Sequence, residues 1–271
     1  MKLFAKVIKI DRITAFLPYC FSFIRICIVL IYLFFVVFVE FLKKDVIIFV
    51  HKESFVYFCS ELNKYNLISK NYEKSLDLEY KKKKGIFYTD IELADKIIDF
   101  LNLPKDSIIL DPCCGTGNFL AAAKNQGYQK IYGADIDKQA ISISKKNIDL
   151  AKLENIDTLA NGADYILNKF KLTESVDVII GNPPYVPISK DIIIDTSDYL
   201  FLRDVKESGS NLFIAALYRA FDLAKENGII SYVIPKNFLH VTSYKVLRKM
   251  ILNEKQIISI VDIGENFKNV T

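Results

Sequence analysis

The chain has no tryptophan, and its five cysteines, Cys20, Cys27, Cys59, Cys113 and Cys114, show no metal-ligand spacing. Nothing therefore reads as a zinc site, and no metal is expected. Adjacent Cys113 and Cys114 cannot easily bridge to each other, and the odd total points to reduced thiols of a cytoplasmic protein. Internal repeats and low-complexity linkers are also missing. The charge excess is small, a net +4, which permits an anionic partner without demanding one. At 271 residues the chain can bury one large core, and one α/β domain with extensions fits better than two equal domains.

What is present begins with a long apolar run. Ile26 to Val39 is fourteen apolar residues without a break, and extension back to Phe21 admits only Ser22 and Arg25. That is near the length that crosses a hydrocarbon core, so residues 21–39 read formally as a single membrane span. No small-residue cleavage site follows, which argues against a signal peptide. Lys2, Lys6, Lys9 and Arg12 precede the run while Lys43, Lys44 and Lys52 follow it, so the positive-inside rule gives no support for a cytosolic C-terminal domain. The alternative is a misassigned start in an AT-rich gene, because the whole chain favours Phe, Ile, Lys, Asn and Tyr. Residues 61–84 form a polar, helix-tolerant lead-in ending in Lys81-Lys82-Lys83-Lys84. Such a run is usually a solvated face; beside a nucleic-acid site it could touch phosphates. Glu79-Tyr80-Lys81 matches a nuclease E-x-K core by chance, since no aspartate strand precedes it.

From Gly85 onward the pattern alternates strand and helix. Thr89 followed by Glu92 makes a capping box for a helix striped by Leu93, Ile97, Ile98 and Leu101. Ser107–Leu110 is a short strand running into Asp111-Pro112-Cys113-Cys114-Gly115-Thr116-Gly117, whose glycines permit a tight turn and close approach of a ligand. A second strand, 130–134, ends at Asp135, twenty-four residues after Asp111, a spacing suited to a carboxylate on ribose hydroxyls. The full G-x-G-x-x-G is missing, and Asp111 would repel a pyrophosphate. S-adenosylmethionine, with an amino-acid tail and a sulfonium, meets that site better than a dinucleotide. A helix over 140–153, strands over 156–160, 176–181, 228–235 and 256–261, and helices over 211–226 and 243–252 complete a doubly wound, mostly parallel sheet. A polar loop is expected over 186–210.

The strand Val176–Gly181 delivers Asn182-Pro183-Pro184-Tyr185 to its carboxyl end. Two prolines force a rigid bend that gathers an amide, a free carbonyl and an aromatic ring, a set suited to a planar amine. A turn with a capping Asn is the plain reading of those four residues alone. In order, GIFYTD (85–90), DPCCGTGNFL (111–120), ADID (134–137), GAD (162–164), NPPY (182–185) and IISYVIPKNFL (229–239) resemble the N6-adenine DNA methyltransferases, TaqI-like and of γ motif order, over about two-thirds of the chain. The resemblance implies a Rossmann-like S-adenosylmethionine-dependent fold and site-specific methylation of adenine, flipped from the duplex, in a restriction–modification system. By motif position, Tyr88, Thr89, Asp111, Pro112, Cys113, Gly115 and Gly117 would surround the methionine part of the cofactor. Asp135, with Ile136 beside it, would serve the ribose, and Asp164 the cofactor's adenine amine. Asn182 and the Pro183 carbonyl would hold the target amine, next to Pro184 and the cofactor. Tyr185 and Phe267 would stack on the base. Two departures stand out: Asp90 replaces the family's proline, and the chain stops at Thr271 where a seventh strand and a DNA-reading domain would follow. The expectation is thus a truncated methyltransferase whose sixth strand loses its hairpin partner, leaving an exposed edge, and which a separate chain completes. Transfer to a protein glutamine or an RNA base, and an inactive cofactor-binding remnant, are the alternatives.

Overall fold

A computed structural model describes residues 45–48, 60–188 and 199–263, all within one compact unit, Lys43–Thr271. The expected membrane span at 21–39 and the expected base-stacking Phe267 lie outside those residues. Among the described residues no helix is long and apolar enough to cross a membrane.

In chain order the elements are β1 (Asp45–Ile48), α1 (Ser60–Ser75), α2 (Leu78–Lys84), α3 (Ile91–Leu101), β2 (Ile108–Asp111), α4 (Asn118–Asn125), β3 (Lys130–Asp135), α5 (Lys138–Asn147) and β4 (Lys152–Asn155). There follow α6 (Ala163–Lys169), β5 (Val176–Gly181), α7 (Tyr199–Glu207), α8 (Leu212–Leu223), β6 (Ala224–Tyr232), two short 3-10 turns, α9 (Lys245–Glu254) and β7 (Gln256–Ile260). The strands form one seven-stranded sheet in the order β4-β3-β2-β5-β6-β1-β7, with every pairing parallel. This is the expected Rossmann-like α/β architecture.

Parallel strands covered on both faces need apolar side chains on both, and the central strands supply them. On β2, Leu110 joins the core under α6, α8 and α9, while Ile109 joins the core under α3, α4 and α5. On β5, Ile179 takes the first face and Val178 and Ile180 the second. The chain moves outward from β2 through β3 to β4, then returns to place β5 on the other side of β2. That reversal opens a crevice at the carboxyl ends of β2 and β5, where open α/β sheets bind ligands.

Four sequence expectations change. The strand after α5 is Lys152–Asn155, not 156–160, because α5 ends at Asn147 and β4 registers Lys152 to Asn155 against Tyr132 to Asp135. The expected loop over 186–210 contains α7, anchored by fully buried Val205, and β6 begins at Ala224. The sheet also gains a strand: β1 lies parallel between β6 and β7, pairing Asp45 with Ile229 and with Gln256. β7 is the outer strand of the sheet among the described residues, with Ile258 and Ile260 nearly half exposed.

Candidate functional site

A cavity of about 890 Å³ lies over the carboxyl ends of β2, β3 and β5. It falls within the range of about 300–1,000 Å³ usual for small-molecule sites. Asp111 ends β2 with only 1% of its surface exposed, and its Oδ1 accepts the Cys113 N–H at 3.0 Å. Burial pushes this carboxyl well above the ordinary carboxylate range, the Cys113 N–H opposes that, and the nearby Asp135 charge adds to it. Gly115 turns the chain at φ +53°, and a Cβ there would come within 2.7 Å of the Tyr88 ring. Only glycine lets that ring lie against the turn. Asp135 ends β3 and accepts the N–H groups of Gly115 and Asp137, each at 2.7 Å. Burial raises its pKa to about 6 against those two bonds. Burial also pushes the thiols of Cys113 and Cys114 well up, so neither is poised as a thiolate nucleophile.

Thr89 is 4% exposed, lines the cavity, and carries a buried hydroxyl without a hydrogen-bond partner. Its neighbour Asp90, not Thr89, caps α3, accepting the Glu92 N–H at 3.0 Å. The N-cap expected at Thr89 is therefore shifted by one residue, with Leu93 in place of the box's glutamate, and the threonine hydroxyl is left to the cavity. The Thr89 carbonyl is held by the Asn118 side chain at 2.6 Å.

On the other wall, Asn182 follows β5. Its Nδ2 donates to the Phe87 carbonyl at 2.8 Å, which fixes the amide orientation and leaves Oδ1 as an acceptor. That oxygen takes the Tyr185 hydroxyl, which also lies 2.6 Å from the Val233 carbonyl. The Tyr185 ring is stacked on Phe87 at 6.0 Å and meets Phe213 edge-on. Among the described residues nothing donates a hydrogen bond to the Pro183 carbonyl.

Tyr88, Thr89, Asp111, Pro112, Cys113, Gly115, Asp135, Ile136, Asn182 and Pro184 all line the one cavity. Gly117, Pro183, Tyr185 and Asp164 do not. Gly117 instead lets α4 approach α5, since a Cβ there would meet Ile148 at 2.5 Å and Ser144 at 2.8 Å. Asp164 is exposed on the first turn of α6. The acid that reaches the wall beyond β4 is Asp157, whose Oδ1 accepts the N–H groups of Leu159 and Ala160 at 3.0 and 3.1 Å. β4 ends earlier than expected, and this brings Asp157 rather than Asp164 to the cavity wall.

Sequence reasoning also missed the outer support. From α1, Ser69 bonds Thr116 at 2.7 Å and Tyr72 donates to Asp137 at 2.6 Å while meeting Tyr88 edge-on. Buried Arg219 of α8 donates to the Thr158 carbonyl, and the Thr158 hydroxyl donates to the Pro112 carbonyl. Their only sequence signal was Tyr65, Ser69 and Tyr72 at helical spacing.

The model of the Eco57I restriction-modification methylase family matches residues 129–268. Type II methyltransferase M.VspI of Vibrio sp. (strain 343) is 32% identical, over 75% of this chain and 49% of that protein. Modification methylase CviBIII of Paramecium bursaria Chlorella virus NC1A is 30% identical, over 70% of this chain and 48% of that protein. The chain thus spans about half the length of each. Among solved structures, a modification subunit provisionally assigned to a type I restriction enzyme of Vibrio vulnificus YJ016 superposes with a TM-score of 0.51 at 20% identity, covering 73% of this chain and 44% of that one. That likeness bears on the fold alone.

Proposed function

This chain belongs to the Eco57I restriction-modification methylase family, and we propose that it transfers a methyl group from S-adenosylmethionine to the exocyclic amine of adenine in DNA. The observation that carries the reading is the Asn182 amide, oriented by the Phe87 carbonyl and opening on the same cavity as Asp111 and Asp135. One wall suits a ribose and an amino-acid tail, and the other suits an amine.

Residues on the first wall fit the cofactor. The unpartnered Thr89 hydroxyl and the Gly115 turn admit a close polar ligand, and the acids at the ends of β2 and β3 suit amine and hydroxyl donors. Tyr88, Thr89, Asp111, Pro112, Cys113 and Gly115 would hold the methionine part, Asp135 and Ile136 the ribose, and Asp157 the adenine amine. Bound there, S-adenosylmethionine supplies an electrophilic sulfonium methyl.

The second wall handles the target. An adenine amine is a poor nucleophile because its lone pair is delocalised into the ring. Asn182 Oδ1, joined by the Pro183 carbonyl once the bend shifts to bring it into the cavity, accepts the two hydrogens of the amine and favours a pyramidal nitrogen with the lone pair released. Acceleration comes from position and preorganised dipoles, with no covalent enzyme intermediate. The base is flipped from the duplex to reach them. Its amine displaces the Tyr185 hydroxyl from Asn182, and the freed ring stacks on the base.

The test uses the full chain with labelled S-adenosylmethionine and unmethylated duplex DNA, RNA and a glutamine-bearing protein as competing acceptors. N6-methyladenine in the DNA digest is expected. Asn182→Ala should lower the rate by about 10²–10³-fold, as loss of one preorganised group does elsewhere, with cofactor binding unchanged. Label found in glutamine or RNA alone would overturn the reading.

A further inference from the structure

The lysine run, which the sequence alone reads as a solvated face, lies at the mouth of this cavity. Lys82, Lys83 and Lys84 line it together with Asn182 and Pro184, and Tyr80 stands beside them, 44% exposed. The three lysines are exposed and make no ion pair among the described residues. Lys81 is different, since its ammonium donates to the Glu73 carbonyl at 3.1 Å.

The run is also fixed to the catalytic bend. α2 ends at Gly85 in a left-handed cap, φ +65°, and the Ile86 N–H returns to the Lys81 carbonyl at 3.0 Å. A Cβ on Gly85 would stand 2.9 Å from both the Tyr185 nitrogen and the Val186 side chain, so α2 is pressed directly onto the Asn-Pro-Pro-Tyr bend. Favourable interaction of a last turn with the helix dipole accounts for one lysine better than for three adjacent ones, which repel each other.

We propose that Lys82, Lys83 and Lys84 form a phosphate-binding ridge that grips the DNA backbone flanking the flipped nucleotide, an inference that rests on the DNA reading above. A base inserted as far as Asn182 leaves its sugar and phosphates at the cavity mouth, where these ammonium groups stand. Phosphate contacts of this kind set position and affinity and carry no sequence information.

The experiment compares the parent chain with Lys82→Gln/Lys83→Gln/Lys84→Gln, titrating a mixed-sequence duplex with cofactor present over a range of salt. Every lysine–phosphate pairing removed should make the slope of log affinity against log salt less negative by about 0.9. Weaker binding to all sequences alike is expected, with cofactor affinity unchanged. Lys105→Gln/Lys130→Gln, at the amino edges of β2 and β3, should leave the slope as it is. An unchanged slope in the triple variant, with the parent binding DNA, overturns the ridge alone. A parent that binds cofactor but no duplex overturns the DNA reading and the ridge with it.

Discussion

Asp135 is the residue through which pH should act. Its pKa is raised by burial to about 6, so the free protein favours the protonated form and loses stability as pH rises from the ordinary value of 3.8 through about 6. Ribose hydroxyls, as donors, prefer the carboxylate, so cofactor affinity should change the opposite way and strengthen as pH rises through about 6. Calorimetry between about pH 5 and 8 checks this. Asp135→Asn should bind about 10–100-fold more weakly, the worth of a charged hydrogen bond, and lose the step in affinity near pH 6, leaving only what buried Asp111 contributes. Tyr185 gives a second residue-level expectation. Its hydroxyl occupies the Asn182 acceptor, so Tyr185→Phe should retain or speed methyl transfer, while Tyr185→Ala should lower kcat/KM by about 5–150-fold through lost stacking. A slower Tyr185→Phe would mean that the hydroxyl takes part in the reaction. Asp111, Asp135 and Asn182 were legible because each stands in a contiguous run at a strand end. That Asp157 rather than Asp164 lines the cavity was not, because it depends on where β4 stops.

Two helices support the site. α2 meets the bend at a glycine, and Gly85→Ala places a side chain in left-handed backbone at about 1–2 kcal/mol before any clash with the Tyr185 nitrogen is counted. Denaturant unfolding should show at least that loss. Methyl transfer should fall further than stability, because the bend itself must shift. α1 braces the cofactor turn from outside, and Tyr72→Phe removes the bond to Asp137 while keeping the edge contact with Tyr88. A loss of about 0.5–1.5 kcal/mol in unfolding free energy is expected, with cofactor affinity reduced only slightly; unaltered stability would remove α1 from the support of the site. The helix tendency of residues 60–75 was legible, but not their partner. Ser69 and Tyr72 reach residues 47 and 65 positions away, and nothing local distinguishes such side chains from solvated ones.

For the whole molecule, the cavity sits where the strand order reverses, and it draws on β2, β3 and β5 together with the segment before α3. A ligand bound there ties these parts to one another. S-adenosylmethionine at about 100 times its Kd should add about 2.7 kcal/mol to stability, a rise in Tm of roughly 5–10 °C for a domain of this size. No shift under saturating cofactor would count against the first wall as its site. The sequence by itself determined the parallel α/β class, the glycine turn, the acids ending β2 and β3, and the Asn182 bend. These follow from local rules: β-branched runs extend, glycines turn, and prolines stop a helix. Tertiary structure alone decided that Asp45–Ile48 enters the sheet between β6 and β7, that Arg219 reaches Thr158, and that Lys82 to Lys84 stand at the cavity mouth. A strand edge accepts hydrogen bonds from any extended segment, and a charged side chain acquires its role from what folding brings beside it. Neither choice is written in the neighbouring residues, because both depend on contacts distant in the chain.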